Sequence, residues 1–120
     1  MSSLLVHVTC GPEQPTRAAL AFLVARSALE GGHDVSLFVA GDGVQLLRAE
    51  VRAALTGLGT GSLAESYDAV RTAGGAVFAS GMSSAARGVG EQALAEAGAV
   101  AAMPAKLVEL ALAADPVITY

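Results

Sequence analysis

The chain has 120 residues, 53% of them hydrophobic and only 15% charged, with a net charge of −4 and one cysteine. That length fits one domain over residues 1–120 with a core of its own, and an acidic balance without a basic run excludes a phosphate-backbone binder, so no nucleic-acid partner is expected. The lone Cys10 excludes an internal disulfide and fits a reducing cytoplasm. An average domain is about 25% charged, so a chain this poor in charge is expected to bury apolar surface between copies of itself. An Ala- and Gly-rich chain with a tolerant surface is the plainer alternative.

LLVHV, Leu4–Val8, is apolar on both faces and reads as a central parallel strand. It lacks the basic segment and long apolar stretch of a signal peptide. After the loop TCGPEQP, Pro15 and Thr16 open a helix through Glu30, with Gly31 as its natural C′ residue. The apolar run Ala18–Ala25 inside it is far short of the ~20 residues of a membrane span. Asp34–Ala40 is a second strand, followed by GDG and a helix from Val44 to Leu55. TGLGTGS reads as a flexible loop. Ser62 with Glu65 three residues on has capping-box spacing and predicts a helix to Thr72. AVFA is the third strand and the serine-rich stretch after it a loop. Glu91–Ala97 is a short helix ended by Gly98, AVAA a weak fourth strand, Pro104–Ala114 a helix, and PVITY a last strand. This alternation predicts an α/β fold: a three-layer sandwich with a five-stranded parallel sheet and helices on both faces.

Such sheets bind ligands beyond the carboxyl ends of their strands, where the strand order switches. An order 2-1-3-4-5 makes the first and third strands neighbours, so Cys10 and Ser80 are expected to face each other across one cleft, with Asp42 as a third wall. The residues expected around that cleft are Gly11, Asp42, Gly43, Ser80, Gly81, Met82, Ser83, Ser84 and Arg87. Hydroxyls, free N–H groups and a guanidinium together suit a small anion. Each also has a plainer reading: the glycines permit tight turns, the serines or Asp42 cap a helix, and Cys10 is a buried small hydrophobe. A serine hydrolase is not expected. His33 lies at the opposite edge of the sheet, His7 lies within a strand as a hydrogen-bonded core histidine, and GMSSA is not a nucleophile elbow. No metal-ligand spacing, phosphate loop or dinucleotide fingerprint is present, and no cofactor is expected.

Four stretches in order, GPEQPTRAALAFLVARSALEGGHDV, SLFVAGDGV, FASGMSSAARGV and ADPVITY, make the chain resemble the DsrE/DsrF-like family of small sulfur-relay proteins. The resemblance covers nearly the whole chain. It implies a cytoplasmic α/β sandwich that forms homotrimers or homohexamers, with other sulfur-relay proteins as partners. In sulfur-carrying members a cysteine ends the third strand, seven residues before the arginine of an RG pair. Counting back from Arg87, that position is Ser80 here. A hydroxyl cannot carry sulfane sulfur. The chain therefore reads as a non-catalytic oligomer that binds a small ligand or partner protein at this loop. The alternative is a persulfide carrier with Cys10 as a displaced nucleophile; a third reading is a purely structural subunit.

Overall fold

A computed structural model describes residues 2–120. The elements in chain order are β1 (Ser3–Val8), α1 (Pro15–Glu30), β2 (Asp34–Val39), a 3-10 helix (Gly41–Leu47), α2 (Ala49–Ala54), β3 (Thr56–Gly57), β4 (Gly61–Ser62), α3 (Leu63–Thr72), β5 (Ala76–Ser80), α4 (Gly81–Ala86), α5 (Glu91–Ala97), β6 (Ala99–Ala102), α6 (Pro104–Ala113) and β7 (Val117–Thr119). β3 and β4 form a small antiparallel hairpin where a flexible loop was expected. The other five strands form one parallel sheet in the order β6-β5-β2-β1-β7. No described helix is long and apolar enough to cross a membrane.

Side-chain alternation fixes the register. Leu4, Val6 and Val8 of β1 line up with Val35, Leu37 and Val39 of β2, and the last two line up with Val77 and Ala79 of β5. All eight join the main core, beneath Ala18, Ala21, Phe22 and Ala25 of α1 and Leu63, Tyr67 and Val70 of α3. The other face of the sheet carries Leu5 and Phe38, both buried, and Phe78, over whose ring the ammonium of Lys106 in α6 sits at 5.3 Å. α6 is the described helix that lies over that face, and none of its residues is buried.

The strand order corrects the expected 2-1-3-4-5. Counting only sheet strands in chain order, it is 4-3-2-1-5. Each right-handed crossover from β1 to β2, β5 and β6 steps the same way along the sheet, which keeps α1, α3 and α5 on one face. The reversal comes only at α6, whose ten residues, about 15 Å of helix, carry the chain back behind the sheet to β7. β2 therefore separates the first strand from the third, which the expected order made neighbours. The switch point, where successive connections leave for opposite faces, lies between β5 and β6.

Several local expectations are also corrected. The helix expected over Val44–Leu55 is split at Arg48, whose backbone is extended (φ −81°, ψ 125°), into a 3-10 turn and α2. The serine-rich stretch is itself a short helix, α4. α1 is closed by Gly31 with φ −79°, and the left-handed residue is Gly32 at φ 85°.

Candidate functional site

The site is built where β1, β2 and β5 end. β5 stops at Ser80, whose Oγ accepts a 3.1 Å hydrogen bond from the Ser83 N–H and so caps α4. Ser83 Oγ in turn accepts from the Gly41 N–H at 2.9 Å, tying the turn after β2 to α4. Arg87, at the C-cap of α4, donates from Nε to Asp42 Oδ1 at 2.9 Å. The cap role considered for Asp42 is not what the structure gives it: the 3-10 turn begins after Ala40 without a side-chain cap, and the Asp42 carboxylate reaches across to Arg87 instead. Arg48 completes the cluster. Its Nη2 donates to the Arg87 carbonyl at 2.8 Å and its Nε to Gln45 Oε1 at 2.8 Å.

Cys10 does not face Ser80 across adjacent strands, because β2 lies between β1 and β5. Two strand spacings, roughly 10 Å, separate their strands. The Cys10 loop instead packs on the backbone of the β2 turn. Gly43 passes so close that a Cβ there would lie 2.5 Å from the Val8 carbonyl oxygen, and a Cβ on Gly11 would clash with the Asp42 carbonyl. These two glycines are needed for close approach. Gly81 abuts the end of β6, with the Ala102 carbonyl oxygen and Met103 Sδ nearest its side-chain direction.

Cys10 is buried. Burial pushes its thiol pKa up, the Glu13 carboxylate pushes it the same way, and Arg17 only partly opposes them. Glu13 also bends back to accept the Gly11 N–H at 2.8 Å. Ser84 is buried with its Oγ unpartnered, while Met82 is exposed. His7 sits in β1 with its ring edge-on to Phe38, centroids 6.1 Å apart. The hydrogen bond expected for it is missing at Nε2, which is buried without a partner, and desolvation lowers its pKa. His33 Nδ1 accepts from the Ser2 N–H at 3.3 Å, at the end of the sheet away from the cluster.

Two grooves flank the cluster without including Ser80, Cys10 or Arg87. One of about 440 Å³ runs between Pro12 and Pro15 and the α2 residues Val51 and Ala54. The other, about 570 Å³, lies behind β6 against Phe78, Val100, Met103 and Lys106. Among the described residues no group of His, Cys, Asp and Glu is placed to hold a metal ion.

The family model described as "DsrE/DsrF-like family" matches residues 2–120. The chain belongs to the DsrE/DsrF-like family. Its fold is that of the YchN protein from E. coli, with 18% sequence identity, full coverage of both chains and a TM-score of 0.78. A conserved protein of unknown function from Bacteroides thetaiotaomicron, BT1422, matches with 12% identity over 98% of this chain and 94% of its own, at a TM-score of 0.71. No curated protein matches the chain. Asp42, Ser80, Ser83 and Arg87, expected from the sequence around one cleft, are joined by hydrogen bonds. Gln45 and Arg48 were not among the expected residues. Nothing in the sequence marks them, since the break at Arg48 lies inside what reads as one helix.

Proposed function

We propose that this protein is a non-catalytic DsrE/DsrF-like homo-oligomer, a trimer or hexamer, related to sulfur metabolism, which binds a small anionic ligand or a partner protein at the loop from Ser80 to Arg87. The observation that carries this reading is the state of its two possible sulfur positions. Ser80 offers a hydroxyl already committed to capping α4. Cys10 offers a buried thiol whose pKa is raised, and the thiolate is the species that attacks sulfane sulfur. Pro12 and Pro15 also remove two N–H donors from the loop that follows Cys10.

The test is intact-mass spectrometry after exposure to a sulfane-sulfur donor. The wild-type chain is expected to gain no sulfur. Ser80→Cys is expected to gain one: position 80 is buried like Cys10, but it is the N-cap of α4, next to the exposed Met82, and a helix N-terminus favours the thiolate. A gain of one sulfur by the wild-type chain that vanishes in Cys10→Ser would replace this reading with a persulfide carrier acting through Cys10.

A further inference from the structure

Arg87 is held by less than it can bind. Its Nε donates to Asp42 at 2.9 Å and its Nη1 reaches the Ser83 carbonyl at 3.4 Å, while Nη2 makes no hydrogen bond among the described residues. In arginine, Nε and Nη2 point the same way and form a fork that matches two adjacent oxygens of a carboxylate or other oxyanion. Asp42 fills one tine only. The pair is also half in water, with side-chain exposures of 30% for Arg87 and 54% for Asp42. An ion pair of that kind is worth at most about fivefold in an equilibrium constant. Among the described residues Asp42 has no second hydrogen bond to hold its carboxylate.

The surroundings favour an incoming anion. Arg48 places a second guanidinium charge on the Arg87 carbonyl, and among the described residues no carboxylate forms an ion pair with it. Two cations and one anion meet at this turn, on a chain that has only seven Lys and Arg and a net charge of −4. The positive excess is therefore local and runs against the charge of the whole chain.

We propose that Asp42 is a displaceable internal ligand. Its carboxylate occupies half of an oxyanion site made by the Arg87 fork, with Arg48 holding the turn and adding charge. A small ligand with two adjacent anionic oxygens, either a carboxylate or a tetrahedral sulfur or phosphorus oxyanion, takes both tines and releases Asp42 toward solvent. This rests on the reading that the Ser80–Arg87 loop binds a small anion, and adds the ligand's chemistry and the residue that holds the site shut.

Backbone amide shifts of Ser83–Gly88 are followed during titration with sodium sulfate, and separately with sodium acetate, at ionic strength held constant with sodium chloride. Saturable shifts are expected in the wild-type chain. Asp42→Asn is expected to bind about fivefold tighter, the whole worth of an exposed pair, and Asp42→Asn with Arg87→Lys to lose that gain, because lysine has charge but no fork. Glu65→Gln removes the same charge in α3, away from the loop, and is expected to change nothing. Whichever anion binds tighter assigns the ligand's class. An equal gain in Glu65→Gln, or no gain in Asp42→Asn while Arg87→Lys still weakens the wild-type chain, would overturn the displacement and leave the anion-binding loop standing. No saturable shift with either anion, in wild type and in Asp42→Asn, would overturn both.

Discussion

His7 is a titratable ring on the sheet face that α6 shields, with Nε2 buried and unbonded. Its pKa is lowered from 6.5 by desolvation, so the unfolded chain binds the proton more tightly than the folded one. The stability that neutral His7 contributes is therefore complete above about pH 6.5 and is lost as the pH falls through the lower folded value. Denaturant melts between pH 7.5 and 5 are expected to show stability falling toward acid, and His7→Leu is expected to flatten that slope; an unchanged slope would remove His7 as its source. The single-residue features that the sequence made legible were those with a local cause. Ser62 accepts the Glu65 N–H as its capping spacing implies, and Ser80 sits at the N-cap of a helix. What stayed hidden depended on distance: the cleft held both Asp42 and Arg87, but not the bond between them across 45 residues, nor that from Arg48 to the Arg87 carbonyl across 39. No spacing rule within either loop encodes those partners.

α3 shows how a helix is fastened at its centre. Tyr67 is almost fully buried against Phe22 of α1, with ring centroids 5.3 Å apart, and its hydroxyl donates to the Ala97 carbonyl at 2.7 Å, at the last residue of α5. The guanidinium of Arg52 in α2 lies 4.5 Å over the same ring and donates from Nη1 to the Leu46 carbonyl. One side chain thus joins α1, α2, α3 and α5. Tyr67→Phe keeps the ring but leaves the buried Ala97 carbonyl without its hydroxyl donor, which is expected to cost about 1–2 kcal/mol in a denaturant melt; a cost near zero would mean that this carbonyl is satisfied in another way. The long helices were legible because proline marked the first turns of α1 and α6 and apolar spacing did the rest. The pieces from Gly41 to Ala54 and from Gly81 to Ala86 were misread. They are one or two turns long, too short for periodicity to separate helix from loop, and contacts with neighbouring loops decide their form.

The molecule is unevenly covered. One face of the sheet is closed by α1 and α3, while the other has α6 over it, and Val100, Met103, Val108, Leu112 and Val117 stay exposed along β6, α6 and β7. From Ala99 to Tyr120 only Lys106, Glu109 and Asp115 carry charge. A patch of this kind is normally covered by a partner, and a second copy of the chain is the expected occupant. Sedimentation equilibrium at micromolar concentration is expected to give three or six times the chain mass, and Leu112→Glu, at an 83% exposed position, to lower it without unfolding the protein. A monomeric wild-type chain would overturn the assembly. The parallel α/β class followed from the alternation of strand and helix patterns. The strand order did not, because β1 and β2 are both apolar enough to be central and nothing in either marks its neighbours.

The position of β7 beside β1 has a consequence for how the chain is made. One side of β1 pairs with β2 as soon as α1 has been crossed, but the other side waits for Val117–Thr119, joined to it at Leu5, Val6 and His7. During synthesis β1 keeps an open row of N–H and C=O groups until more than a hundred further residues have been added, and such a row is a template for pairing with another chain. Ribosome stalling or truncation before residue 117 leaves that template exposed. A chaperone that shields unpaired strands then has its longest opportunity at β1, a strand with a neighbour on each side once folding is complete.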